Sequence, residues 1–277
     1  MKHFIAITLI FSVAFFSAAS ADEIQYLQGL GNPDYHRVES ETLERSFHIF
    51  VRLPEGYNES EKTYPTIYLL DGGINFPLLA PYYLFLSIDE PMPEAIIVGI
   101  SYGASGSKGG NMRSTDYTAP SPERAYWGGA ARYQTFLSNE LLPFIENNYR
   151  SDAARRVIYG QSLGGQFVLF TALTKPDLFW GHIANNPALH RNLSFFIEHP
   201  PTKSRGKSKL FVSSGSKDDD RFRIPARAWI AHWISKSKTP WALKTVILDG
   251  EAHASAGPRS FRAGMRWFFN SEPSDTE

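Results

Sequence analysis

Ser162 lies in a short run of small residues, Gly160-Gln161-Ser162-Leu163-Gly164, that fits the pattern G-x-S-x-G. Residues 156–159 before this run have the pattern of a strand, and residues 163–173 have that of an apolar helix. This order is typical of a nucleophile elbow, in which the serine backbone is strained and flanking glycines remove clashes. A tight turn with an incidental serine is the alternative. A phosphate-binding loop is disfavoured because no lysine follows.

His253 is the best-placed base for this serine among the eight histidines of the chain. A serine hydroxyl is a weak nucleophile until a base takes its proton. His253 follows the strand-like residues 245–248 and is surrounded by small residues, which predicts a loop beyond the carboxyl end of that strand. Ligands of open α/β sheets bind at such ends. An ordinary surface histidine is the alternative.

Three aspartates, Asp218, Asp219 and Asp220, follow the strand-like residues 209–212 and could supply the acid that orients the histidine. The chain order of serine, aspartate and histidine is that of an α/β-hydrolase triad. We choose Asp218 because it lies nearest the strand end, whereas the next two suit the first turn of a helix. The alternative is that all three aspartates cap that helix.

An oxyanion formed at Ser162 needs two amide donors. Leu163, directly after the serine, should supply one. The loop after the strand-like residues 66–70, Asp71-Gly72-Gly73, should supply the other. We favour Gly73, with Gly72 as a close second, and a plain Gly-Gly turn is the alternative.

The long irregular segment 101–131 is rich in Gly, Ser, Pro and Asn, and loops of that length in a compact domain are usually functional. Within it, Arg113 could receive an anionic or phenolic group of a substrate, and a surface ion pair is the alternative. Trp229, Trp233 and Trp241 near the acid would suit an aromatic substrate pocket or, alternatively, the core.

Strand-like and helical segments alternate along the chain and predict an α/β fold with a mostly parallel, doubly wound sheet. Antiparallel N-terminal strands come first, and helices cover both faces. The predicted strands are residues 45–53, 66–70, 95–100, 156–159, 182–184, 209–212 and 245–248, and the predicted helices are residues 133–149, 163–173, 224–234 and 259–269.

The amino-acid composition excludes several classes of function. The chain has 277 residues, 28 basic and 28 acidic side chains, and no cysteine. The absence of cysteine excludes disulfides, thiolate metal sites and a cysteine nucleophile. The balanced charge argues against nucleic acid and against an anionic membrane surface as partners. We expect a small-molecule substrate and neither cofactor nor metal, while the oligomeric state stays open.

The N-terminus has the pattern of a secretory signal peptide. Lys2 and His3 precede the apolar residues 4–16, and Ala19-Ser20-Ala21 provides a small-residue cleavage site. Cleavage after Ala21 would leave residues 22–277 as a single domain in the periplasm or outside the cell. An uncleaved anchor is the alternative.

Five segments resemble those of one known family. They are residues 64–72 (YPTIYLLDG, like YPVLYLLDG), 97–120 (like VGI…R…DYTP), 139–145 (NELLPFI, like EELIPYI), 159–165 (YGQSLGG, like GHSFGG) and 175–179 (KPDLF, like PDLF). The chain therefore resembles the putative-esterase family of α/β-hydrolases over residues 35–268. That family includes feruloyl and acetylxylan esterases, S-formylglutathione hydrolases, siderophore esterases and mycolyltransferases. The LLDG branch is most similar to the siderophore-esterase type.

The resemblance implies an α/β-hydrolase fold and a serine esterase with Ser162, His253 and Asp218 as triad, which the signal-peptide pattern predicts to be exported. Alternatives are an acyltransferase of the mycolyltransferase type and a catalytically silent α/β-hydrolase that binds a ligand. Two positions depart from the family pattern. Gln161 replaces the usual histidine, where we expect an effect on packing behind the elbow, and Asn186-Pro187-Ala188 replaces SPS, where rim contacts should differ.

Overall fold

The computed structural model describes residues 29–204, 206 and 208–269, so the predicted signal peptide lies outside the described residues. Eight strands form one sheet. They are β1 (Asp34–Ser40), β2 (Arg45–Arg52), β3 (Tyr64–Leu69), β4 (Ile96–Ser101), β5 (Ser151–Gln161), β6 (Gly181–Asn185), β7 (Lys209–Gly215) and β8 (Ala242–Leu248).

The sheet order is β1-β2-β4-β3-β5-β6-β7-β8. Strand β2 pairs antiparallel with both β1 and β4, and all other neighbours are parallel. The carboxyl ends of β3 and β5 to β8 therefore meet along one edge, where crossover connections deliver the loops that follow them. The predicted mostly parallel sheet with antiparallel N-terminal strands is confirmed.

Eight α-helices accompany the sheet in the described part of the chain. They are α1 (Gly72–Asp89), α2 (Arg113–Asp116), α3 (Ala130–Phe136), α4 (Leu142–Asn148), α5 (Leu163–Thr174), α6 (Leu193–Glu198), α7 (Asp220–Ile234) and α8 (Ala256–Phe269). A five-residue π-helical segment, Leu137–Leu141, joins α3 to α4. None of these helices is both long and apolar enough to cross a bilayer.

Alternation within the strands sends neighbouring side chains to opposite faces. Ile67 and Leu69 of β3 pack in a core with α1 and α8, whereas Tyr68 packs in a second core with α3, α4, α5 and α7. Helices thus cover both faces, as predicted. Burial of both faces explains why the parallel strands are almost continuously apolar.

Trp229, Trp233 and Trp241 belong to the second core and are at most 5% exposed. Their ring centroids lie 4.9 to 6.4 Å apart. The indole nitrogen of Trp241 donates to the carbonyl oxygen of Ala172, which satisfies the polar end of the ring. The hypothesis that these tryptophans form an aromatic substrate pocket is therefore wrong, and the core alternative is confirmed.

Candidate active site

Ser162 occupies the turn between β5 and α5 with φ 59° and ψ −116°, a conformation that is costly for a residue with a side chain. The surrounding backbone holds it there. Its N–H donates to Asn185 O at 3.0 Å, and its carbonyl accepts from the amides of Gln166 at 2.9 Å and Ala188 at 3.0 Å. The hydroxyl is consequently carried on a rigid turn at the carboxyl end of the sheet.

Gly160 is required by close backbone approach in this turn. A methyl group at Gly160 would lie 2.3 Å from the carbonyl carbon and oxygen of Gly164. At Gly165 it would lie 2.8 Å from Asn185 O, so α5 packs directly against the end of β6. At Gly164, however, the nearest atom would be Asp71 Oδ2 at 3.4 Å, which is an ordinary contact. The prediction that Gly164 also removes a clash of its own is wrong.

The three predicted oxyanion donors are amides in the first turns of helices. Leu163 begins α5, and Gly72 and Gly73 begin α1 directly after Asp71. The first amides of a helix have no partner inside it and carry the positive end of the helix dipole. Because β3 and β5 are parallel neighbours, both helix starts lie side by side. The three amides thus belong to one strand-end edge.

Gly72 and Gly73 were expected in a loop, and that expectation is wrong because α1 begins at Gly72. The helix was missed because Pro77 and Pro81 lie inside it, and proline removes a backbone donor that a helix interior uses. A methyl group at Gly72 would lie 2.4 Å from Ile100 N, so this helix start is pressed against β4.

His253 and Asp218 are hydrogen-bonded. The Nδ1 atom of His253 lies 3.0 Å from Oδ1 and 2.9 Å from Oδ2 of Asp218, whose side chain is buried. A buried carboxylate at Nδ1 favours the tautomer that carries its proton there, which leaves Nε2 free to accept one. The ring of Phe222 stacks on His253 with 4.2 Å between centroids.

The neighbouring aspartates have other partners. Asp219 is the N-cap of α7, where its carboxylate accepts from the Arg221 amide at 2.8 Å, and Asp220 pairs with Arg223. Only Asp218 of the three reaches His253. Among the described residues, the hydroxyl of Ser162 makes no hydrogen bond with His253, a contact that often tightens only when substrate binds.

Arg113 forms a bidentate ion pair with Asp71, with Nε 2.7 Å from Oδ1 and Nη2 2.8 Å from Oδ2. Desolvation opposes the charge of Arg113, but the Asp71 carboxylate outweighs it, so the pKa of Arg113 is raised. The guanidinium therefore holds the residue that precedes α1, as in the ion-pair alternative. Binding of a substrate anion by Arg113 stays a prediction.

An open depression of about 480 Å³ is lined by residues that include His190, Arg221 and Ile224. Phe222 lies between this depression and His253, because its ring stacks on His253 and lies perpendicular to the ring of His190, with 5.1 Å between the centroids. The Arg221 guanidinium lies 4.4 Å from the Phe222 centroid. Burial and nearby arginines lower the pKa of His190, which favours its neutral form. Phe222 was missed by the sequence reasoning, since no pattern marks it.

Comparison with known proteins places this chain among esterases. A family described as "Putative esterase" matches residues 40–260. The chain is 33% identical to the ferri-bacillibactin esterase BesA of Bacillus subtilis over 204 residues, covering 68% of this chain and 66% of that protein. It is 25% identical to the siderophore triacetylfusarinine C esterase of Aspergillus fumigatus over 251 residues, covering 76% and 82%.

Solved structures share the fold. The IroE-like serine hydrolase from Shewanella oneidensis superposes with a TM-score of 0.75 at 24% identity, covering 86% of this chain and 80% of that one. At that identity the likeness concerns the fold alone.

Proposed function

Because the chain belongs to the putative-esterase family, we propose that it is an exported serine esterase acting on carboxylic esters of a small molecule. The observation that carries the proposal is the hydrogen bond between His253 Nδ1 and the buried carboxylate of Asp218. It leaves Nε2 as the proton acceptor, on a loop beside the strained Ser162 turn. The family match supports ester hydrolysis as the reaction.

In this mechanism, His253 Nε2 takes the Ser162 proton while Oγ attacks the ester carbonyl carbon. The oxyanion of the tetrahedral intermediate accepts hydrogen bonds from the amides of Leu163 and Gly73, with Gly72 as the alternative second donor. His253 then donates the proton to the departing alcohol, and an acyl group stays on Oγ. Water, activated by the same imidazole, hydrolyses the acyl-enzyme.

Asp218 stabilises the imidazolium that forms in both steps without taking the proton itself. Its burial strengthens that interaction, because a charge pair is screened less inside the protein than in water. Each group of the mechanism is a side chain or amide of the chain, so the reaction needs no cofactor.

The substrate is a siderophore-type, feruloyl-type or acetyl ester. Two relatives are named for siderophore substrates, which supports the first of these classes. The open depression lined by His190, Arg221 and Ile224 is a candidate place for an aromatic or anionic group of the substrate. Export follows from the signal-like residues 1–21, with cleavage after Ala21.

The experiment is turnover of p-nitrophenyl acetate by wild type, Ser162→Ala and Ser138→Ala. Loss of the nucleophile should lower kcat by at least about a thousandfold. Ser138, on the π-helical segment, bonds only locally and should leave turnover unchanged. Equal rates in wild type and Ser162→Ala would sink the proposal. Product analysis with added alcohols separates hydrolysis from acyl transfer.

A fluorophosphonate probe provides a second readout, because it reacts with an activated serine whatever the natural substrate is. Wild type should be labelled at Ser162 and the alanine variant should not. A protein that folds but is not labelled would be a silent binding protein instead. Feruloyl and catecholate-lactone esters, assayed beside acetate, then rank the substrate classes.

A further inference from the structure

Two side-chain amides converge on one backbone atom, the carbonyl oxygen of His253. Gln161 Nε2 donates to it at 2.6 Å and Asn186 Nδ2 at 3.0 Å. A carbonyl oxygen has two lone pairs, so these two donors satisfy it completely. Both side chains come from strand ends far away in the chain, and both reach the residue that carries the proposed base.

Gln161 ties this carbonyl to the nucleophile. It is the last residue of β5 and directly precedes Ser162. Its side chain therefore connects the neighbour of the proposed nucleophile to the residue that carries the proposed base. The same amide lies 3.5 Å from the carbonyl oxygen of Ala254. Our expectation that Gln161 affects only the packing behind the elbow is therefore incomplete, because its amide contacts the histidine loop.

Asn186 ties the carbonyl to the acid. It follows β6 with φ 42°, a left-handed conformation that asparagine tolerates better than most residues. Its Oδ1 accepts from the Gly215 amide at 2.7 Å, at the end of the strand that leads to Asp218. Its Nδ2 also donates to Ala252 O at 3.2 Å. Asn186 is 1% exposed, so water competes little for these bonds.

The histidine loop needs such support. Ala252 and Ala254, the neighbours of His253, are exposed and have small side chains that contribute little packing. Asp218 fixes Nδ1 and Phe222 covers one face of the ring, but neither holds the backbone from which the ring extends. A displacement of about 1 Å at a reacting group can cost about a hundredfold in rate.

We propose that Gln161 and Asn186 are positioning residues that clamp the His253 carbonyl and thereby align its imidazole with Ser162. The inference rests on the proposed function, since it requires His253 to be the base. Gln161 sets the distance between His253 and Ser162, and Asn186 fixes the position of His253 relative to Asp218. Both side-chain amides are bonded to the histidine loop, so we expect them to act on kcat and not on substrate binding.

The test compares Gln161→Leu with Gln134→Leu. The first removes the donor to His253 at nearly constant volume. The second removes a buried glutamine of α3 that donates to Thr174 at the end of α5, so it is a matched control for loss of an amide. In Gln161→Leu we expect kcat for p-nitrophenyl acetate to fall 10- to 100-fold with KM within twofold, and fluorophosphonate labelling to slow equally. Gln134→Leu should keep both rates.

Asn186→Asp examines the second donor. The carboxylate can still accept from the Gly215 amide but cannot donate to His253, and aspartate also tolerates the left-handed backbone. Its kcat should fall at constant KM, and the double variant should lose more than either single one. Gln161→Glu, nearly identical in shape, replaces Gln161→Leu if the latter does not fold, and thermal unfolding midpoints verify the fold of each variant.

The outcomes separate this inference from the proposed function. If Ser162→Ala is inactive while Gln161→Leu and Asn186→Asp keep kcat within twofold, the clamp is wrong and the esterase stands. If kcat and KM change together, the two residues shape the binding site and do not position the base. If Ser162→Ala keeps wild-type turnover, both proposals fail.

Discussion

Three consecutive aspartates after β7 have three different environments. Asp218 is buried against His253, Asp219 accepts the Arg221 amide at the start of α7, and Asp220 pairs with Arg223. The side chains are chemically identical, so the position of each along the turn decides what it can do. The acid of the proposed triad is therefore a property of one residue and not of the acidic cluster.

Asp218→Asn and Asp219→Asn apply the same change to adjacent residues. Asparagine at 218 keeps the shape but presents an amide to Nδ1, which favours the wrong tautomer, and we expect kcat to fall by about 10⁴-fold. Asparagine at 219 is a good N-cap, so stability and kcat should stay near wild type. The measurement is kcat for p-nitrophenyl acetate. An equal loss in both variants, or none in Asp218→Asn, would show that the acid is not Asp218.

Part of this residue-level picture could be predicted. Ser162 follows from a local glycine pattern, and His253 and Asp218 follow from their positions after strands, since parallel strands end at one edge. Contacts between distant loops could not be predicted in this way. Neither the bonds of Gln161 and Asn186 to His253 nor the Arg113–Asp71 pair leaves a periodic pattern, because each depends on how separate strand ends meet in space.

At the scale of elements, the elbow is a strand and a helix forced together at one turn. The backbone of Gly164 lies where a side chain of Gly160 would be, so one glycine makes room for the other. The G-x-S-x-G motif has glycine at both positions, but an added methyl group would clash only at Gly160. The difference arises from direction: the missing side chain of Gly160 points into the helix, and that of Gly164 points towards Asp71.

Gly160→Ala and Gly164→Ala should accordingly differ. The methyl group at 160 meets fixed backbone at 2.3 Å, so β5 and α5 must separate, and we expect a loss of at least about 2 kcal/mol in unfolding free energy together with most of the activity. The methyl group at 164 has an ordinary contact at 3.4 Å, so we expect a change within about 1 kcal/mol. Urea denaturation followed by circular dichroism measures both. Comparable losses would contradict the asymmetry.

For the whole molecule, one eight-stranded sheet with helices on both faces encloses a titratable group that the proposed mechanism does not use. His182 lies in β6 between β5 and β7 and is fully buried, with its Nδ1 3.3 Å from Lys209 O and its ring edge-on to Phe179. Among the described residues its Nε2 has no hydrogen-bond partner. Burial without a partner for Nε2 favours the neutral form of this ring.

Acid should therefore destabilise the protein through His182. Burial lowers the pKa of His182 from about 6.5 to about 4, so below pH 6.5 the unfolded chain binds a proton that the folded chain does not. The contribution of the neutral His182 to the unfolding free energy is fully present above pH 6.5. It is lost as the pH falls towards 4, and the loss amounts to about 3 kcal/mol.

His182→Leu isolates this contribution, because leucine fits an apolar interior and does not titrate. Urea denaturation at pH 7 and pH 4.5 should give the variant a smaller loss of unfolding free energy on acidification than wild type, by about 2 kcal/mol. Turnover at pH 7 verifies that the variant folds, since His182 is the second residue of β6 and the candidate site lies beyond the carboxyl end of that strand. An identical acid loss in both proteins would mean that the interior accepts the charged ring, and the folded state would then be less rigid around β6 than its packing implies.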